Sequence, residues 1–215
     1  MNAMLSIHDS ELRDRIAAVT ARLIAEDGLD YAGAKAKAVR EVIGENRRHL
    51  DCLPDNEHVE AAVREHQALF MADTQPARLA RLREVACDAM RFLRDADLEL
   101  EPFAQGALVN GTAGEHSDVH LVAFSDRAKD VEIFLLNAGI DFDATEAPDA
   151  RGGETLSFLW PPRRASPPGA VRDARPPEAV HLTIADPRSR RSGPPGDRAD
   201  LEQLERLARD AEARS

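Results

Sequence analysis

Cysteine is scarce in this chain of 215 residues. Cys52 and Cys87 are the only two, and they form no CxxC pair. Neither a disulfide framework nor a thiolate zinc site is implied, and both thiols are expected to stay reduced. Aromatic side chains are few, at 4 % of the residues. No apolar run approaches the roughly 18 residues a membrane helix needs, so no membrane partner is expected. The segment from Met1 to Asp9 lacks both a basic start and an apolar h-region. It does not read as a signal peptide, and a cytoplasmic location is the expectation. Positive charge is also short. The net charge of −11 argues against general nucleic-acid affinity, because phosphate neutralisation drives such binding.

Hydrophobic residues at 43 % and charged residues at 31 % are those of a globular protein with room for a sizeable core. The first hundred residues read as helices. Leu12, Ile16, Val19 and Leu23 recur at helical spacing between a start at Asp9 or Ser10 and a stop at Gly28. A second helix is predicted from Asp30 to Ile43, with Tyr31, Ala34, Ala38 and Val42 on one face, ended by Gly44. Pro54-Asp55-Asn56 opens a third, running to about Met71. Thr74-Gln75-Pro76 opens a fourth, whose Leu79, Leu82, Ala86, Met90 and Leu93 form the clearest stripe in the chain. His49, Cys52, His58 and His66 match no zinc spacing. Arg47, Arg48 and His49 suit a helix end, where cations are favoured.

After Pro102 the pattern turns to strands. A helix is predicted from Ser125-Asp126 to about Asn137, then strands over Ile140 to Ala144, Leu156 to Trp160 and Val180 to Ala185. The stretch between Trp160 and Val180, rich in Pro, Arg and Ala, supplies no core face and reads as a flexible excursion. Pro187 to Arg198 reads as a second one. Between Arg163 and Arg198, eight arginines face Asp173, Glu178, Asp186 and Asp197; this local surplus could draw phosphate but reads as a solvated loop. A terminal helix carries Leu201, Leu204, Leu207 and Ala211 on one face. The fold class expected is α+β, with a helical region over 1–100, a core of mixed sheet and flanking helices over 101–186 with an insertion near 161–178, and a linker and helix over 187–215.

The stretch F-A-Q-G-A-L-V-N-G-T-A-G-E-H-S-D-V-H-L-V-A-F, Phe103 to Phe124, carries the candidate chemistry. An apolar run leads to a small-residue turn over Asn110 to Gly114, and a second β-prone run follows. Gly111 and Gly114 allow a ligand to approach the backbone, Thr112 and Ser117 offer hydroxyls, and Asp118 and His120, two apart on a strand, share a face. This pattern resembles the active-site signature of the nucleotidyltransferase superfamily, the DNA polymerase β-like group. There a strand ends in Gly-Ser or Gly-Gly, a loop follows, and a second strand carries Ser-Asp-x-Asp. Gly111-Thr112 takes the Gly-Ser place and Ser117-Asp118-Val119-His120 the Ser-Asp-x-Asp place, with a shorter loop than the family has and with His120 for the second carboxylate.

The resemblance implies a nucleotidyltransferase-like sheet in which Gly111, Thr112, Gly114 and Ser117 hold the phosphates of a nucleotide and Asp118 is the catalytic metal anchor. The family's third carboxylate comes from a later strand, where this chain offers His181, with Asp186 and Glu154 as outside candidates. A site of Asp118, His120 and His181 suits Mn²⁺ or Zn²⁺ better than Mg²⁺, since hard Mg²⁺ prefers oxygen. The alternative is that the metal is lost, leaving a degenerate site that binds nucleotide without turnover. Gly111 to Ser117 is also superficially similar to the phosphate loop of ATP-dependent amino-acid ligases, but Glu115 stands where the lysine would. A different expectation is an interaction module, or self-association, through the Ala-rich second helix or the Leu-faced terminal helix, with the sheet as scaffold.

Overall fold

A computed structural model describes residues 2–44, 53–96, 98–146, 153–161, 176–191 and 198–212. The excursion expected between Trp160 and Val180, and Arg47, Arg48, His49 and Cys52, lie largely or wholly outside them. The fold is α+β. Two compact units divide the chain: a helical unit of Met1–Arg78 with Gly111–Ser117, and a sheet unit of Leu79–Asn110 with Asp118–Ser215.

The helical unit contains α1 (Asn2–Ala25), α2 (Tyr31–Ile43) and α3 (Asn56–Phe70). Helix α1 starts earlier than the Asp9-Ser10 signal, since no glycine or proline interrupts the residues before it. Ile16 and Leu23 of α1 pack with Ala34 and Ala38 of α2, while Ala21 packs with Val59 and Val63 of α3. The Ala face of α2 is therefore spent inside the unit. Asp30 caps α2 by accepting from the Ala32 and Gly33 amides at 2.9 Å each, and Asp55 caps α3 by accepting from the His58 amide at 2.8 Å. Three of the orphan amides at these two helix starts thus find an acceptor. After α1 the chain turns at Gly28, with φ +67°, where a Cβ would lie 2.8 Å from that of His116. Only glycine fits both the dihedral and the space.

Helix α4 (Gln75–Arg94) begins in the helical unit and continues into the sheet unit. Its predicted stripe, Leu79, Leu82, Ala86, Met90 and Leu93, is buried throughout. The sheet unit then follows as β1 (Pro102–Gln105), α5 (Ala107–Asn110), β2 (Val119–Phe124), α6 (Ala128–Asn137), β3 (Phe142–Glu146), β4 (Gly153–Trp160), β5 (Glu178–Ala185), β6 (Arg198–Ala199) and α7 (Leu201–Glu212). Among the described residues six strands form one sheet in the order β3-β4-β5-β2-β1-β6. β2 and β5 run parallel, and the other pairings are antiparallel.

The strands alternate as a sheet with one packed face requires. Val119, Leu121 and Ala123 of β2, Leu156, Phe158 and Trp160 of β4, and Val180, Leu182 and Ile184 of β5 are buried on one face. Phe92 of α4 meets Phe134 of α6 and Trp160 at 4.9 Å each, so both helices cover that face. Ser157, His181 and His120 fall on the other face by the same alternation.

Three expected elements differ. The apolar run before Asn110 is not one strand: β1 stops at Gln105, Gly106 turns at φ +65°, and Ala107–Asn110 closes a helical turn. α6 starts two residues late, because Ser125 Oγ accepts from the Arg127 amide at 3.0 Å and holds a turn there. Pro187–Arg191 is a 3-10 turn, anchored by the Arg188 amide donating to Asp186 Oδ1 at 2.7 Å, and Arg198 opens β6. Helix α7 is capped reciprocally: the Gln203 amide donates to Asp200 Oδ1, and the Asp200 amide to Gln203 Oε1. Leu204 of α7 is fully buried, so the terminal stripe is partly consumed within the sheet unit.

Candidate functional site

The candidate residues fall into two sets. Gly111, Thr112, Gly114 and Ser117 belong to the helical unit, whereas Asp118, His120 and His181 belong to the sheet unit.

The first set is strapped down. Gln67 donates its Nε2 hydrogen to the Thr112 carbonyl at 2.8 Å, and Gln75 donates to the Gly111 and Ala113 carbonyls at 3.1 and 3.0 Å. Arg78 donates to the Ser117 carbonyl at 3.3 Å. Thr112, Ala113 and Gly114 are buried, and the Gly114 amide, the donor expected to meet phosphate, is bonded to Ser117 Oγ at 3.0 Å. The open cradle expected over Gly111 to Gly114 is thus closed, because side-chain amides bind its carbonyls and its own serine takes an amide. Gly111, with φ +83° and open space where a Cβ would point, is the part of the turn left accessible.

The turn at Gly111 does not directly follow a strand, as the motif expectation had it: β1 ends at Gln105, Gly106 turns there, and α5 lies between.

The second set is built by the parallel pairing of β2 with β5, which sets His120 opposite His181, and by β4, which sets Ser157 opposite His181. The two imidazoles stack with centroids 4.9 Å apart and planes at 22°. His181 Nε2 lies 3.2 Å from Asp118 Oδ2, and His181 Nδ1 lies 2.9 Å from Ser157 Oγ. The atoms packed round the His120 ring, and then the His181 imidazole, hold its pKa below the ordinary histidine value, against a smaller opposing pull from Asp118. The shift favours the neutral form of the His120 ring.

This donor set does not fit a catalytic Mg²⁺. One carboxylate is present where the chemistry asks for several oxygen ligands, both nitrogens of His181 are engaged, and the rings stack rather than converge on a point. Among the described residues no group of three or more His, Cys, Asp or Glu is arranged to hold a metal ion. His58 and His66 are paired separately, with Asp14 at 3.0 Å and Glu26 at 3.1 Å.

Asp186 and Glu154 lie elsewhere. With Ser125, Asp126 and Arg188 they line an open cavity of about 590 Å³. Asp118 precedes β2 and Asp186 follows the parallel β5, which separates them by roughly 20 Å of strand. Burial and a hydrogen bond with Glu132 raise the Glu154 pKa. The arginine surplus is partly absorbed: Arg190 bonds Glu101 at 2.6 Å and lies over Phe103 at 5.5 Å, and Arg198 lies over Phe124 at 5.0 Å.

No family model matches the chain, and no curated protein matches it. Among solved structures it is similar to the Cid1 poly(U) polymerase, in a mutant form bound to MgATP, at 16 % identity and a TM-score of 0.33. The match covers 49 % of this chain and 32 % of that one, so the chain spans about a third of the polymerase's length. Ser157 and the strap formed by Gln67, Gln75 and Arg78 were not singled out by sequence reasoning. Nothing local marks them, since each acts through a partner far along the chain. Among the described residues no helix is long and apolar enough to cross a membrane.

Proposed function

We propose that this protein is nucleotidyltransferase-like, with a degenerate catalytic set, and that it binds a nucleotide without transferring it. One observation supports the reading above the others. The three positions at which the motif calls for carboxylates are Asp118, His120 and His181. The β2–β5 register sets His120 beside His181, and Asp118 is bonded to the same ring. Two of the three are stacked imidazoles, an arrangement that holds no divalent ion in catalytic geometry. A nucleotide would meet hydrogen-bonding imidazole edges there instead of metal-bridged phosphates. The test is calorimetric titration of nucleoside triphosphates with Mg²⁺, Mn²⁺ or Zn²⁺ into wild type and Asp118→Ala. Binding that needs no metal and weakens in the variant agrees with the reading. No heat under any condition ends it.

A second reading, docking of a partner protein, has one specific observation in its favour. Leu69 and Phe70 at the end of α3 are 69 % and 71 % exposed, although α2 and α7, the helices first expected to dock, use buried residues internally. Light scattering across a concentration series tests self-association. A constant monomer mass removes that form of the reading.

A further inference from the structure

Ser157 is bonded to a ring that the nucleotide reading uses, but that reading gives its hydroxyl no chemical part. Its Oγ lies 2.9 Å from His181 Nδ1, and the opposite ring nitrogen, Nε2, lies 3.2 Å from Asp118 Oδ2. An ionised carboxylate only accepts, so the Asp118 contact draws the ring proton to Nε2 and leaves the Nδ1 lone pair facing the hydroxyl. That is the order carboxylate, imidazole, hydroxyl by which a serine is activated, and it is defined by geometry and roles rather than by fold or chain order. The ring nitrogens have exchanged places relative to the usual arrangement, but each still does its part.

The surroundings suit the role. β4 is paired on both sides, with β3 and β5, so the serine backbone is fixed. The His181 side chain is 28 % exposed, and Ser157 is half-buried, which leaves room for a small reagent. Leu159, two residues on and so on the same face, is 51 % exposed and offers an apolar surface beside the hydroxyl.

We propose that Ser157 is a nucleophile that accepts the acyl group of activated carboxylic esters with short apolar acyl chains, with His181 as general base and Asp118 as a positioning residue. Oγ bonds to the ester carbonyl carbon while its proton passes to His181 Nδ1. Collapse of the tetrahedral adduct breaks the bond from that carbon to the alcohol oxygen, and the alcohol leaves with the proton. Acyl-Ser157 and free alcohol remain, with nothing oxidised or reduced. The β4 amides near Ser157 are committed to the ladders on either side, so they are not spare oxyanion donors. Acylation is accordingly a stoichiometric event rather than rapid turnover. This does not rest on the nucleotide reading, and either can fail alone.

The experiment treats the full chain with p-nitrophenyl acetate and follows nitrophenolate release, intact mass and the acetylated peptide. The expected result is a burst of release with an acetyl group on Ser157. Ser157→Ala should lose the burst. His181→Ala should slow it about 10²- to 10⁴-fold, the range of general-base assistance, and added imidazole should restore part of the rate, which a purely structural histidine would not allow. Asp118→Asn should slow labelling, and Asp118→Glu should keep part of it. Circular dichroism of each variant separates loss of chemistry from loss of fold, and the peptide map of wild type stands even if a variant unfolds. Acetyl groups confined to lysines, or a His181→Ala protein that labels at the wild-type rate, overturns the proposal.

Discussion

Replacing Gln67 by methionine tests whether the loop from Gly111 to Ser117 is held by the helices beneath it. Gln67 is 4 % exposed, and its amide donates to the Thr112 carbonyl at 2.8 Å. Methionine nearly matches glutamine in length and removes the donor. The bond itself is worth about 0.5–1.5 kcal/mol, and a buried carbonyl deprived of its donor raises the cost to about 1–3 kcal/mol. The swap also leaves a thioether end where the amide now lies close to the loop, 3.4 Å from the point where a Gly114 Cβ would sit. The expected loss is about 2 kcal/mol. With a urea slope of about 1–3 kcal/mol/M, the midpoint falls by roughly 1 M. Urea unfolding followed by far-UV circular dichroism measures it, and Glu65→Met on the exposed side of the same helix should stay within about 0.5 kcal/mol of wild type. A Gln67→Met midpoint no lower than that control, at unchanged slope, refutes the strap.

Gly28→Ala should destabilise by about 1–3 kcal/mol, since it forces a positive φ on alanine and drives a Cβ to 2.8 Å from that of His116; a melting temperature equal to wild type contradicts this. Asp30→Ala removes the acceptor for two amides at 2.9 Å and should cost about 1 kcal/mol by urea titration. His120 should titrate below ordinary histidine in proton NMR, from burial and then His181. Because its folded pKa is depressed, its contribution is complete above the unfolded pKa and is lost as pH falls through the folded pKa, and His120→Gln should flatten that acid sensitivity. Burial pushes the Cys87 thiol up to about 11, so it should resist iodoacetamide at neutral pH until urea unfolds the chain. Fast alkylation of Cys87 in the native protein, located by peptide mapping apart from Cys52, would contradict the buried placement.

The helices were legible, and most of their ends, because their signals are local, although α1 and α6 start away from their expected residues. Asp30, Gly44, Asp55 and the stripe on α4 each act within one or two turns, so spacing alone identifies them. Strands β2 to β5 were legible from alternation and β-branched content, but β6 and the end of β1 were not, nor was the strand order, since Ser157 opposite His181 depends on a pairing between residues 24 apart. Asp118, His120 and His181 were named from a motif, and the β2–β5 register sets two of them side by side. The expected strand up to Asn110 was misread, because its apolar residues do not reveal that Gly106 ends β1 and that Ala107–Asn110 closes a helical turn. The closure of the loop was invisible, since a glutamine on α3 carries no signal of the carbonyl it will bind.

The account stands or falls on whether a nucleotide docks at the sheet face that carries the two stacked imidazoles. Backbone and histidine NMR shifts recorded during a titration with a nucleoside triphosphate, without added metal, test this most directly. The account predicts saturable shifts at Asp118, His120, Ser157 and His181. Shifts that spare these four residues, or no saturable change at all, would contradict it.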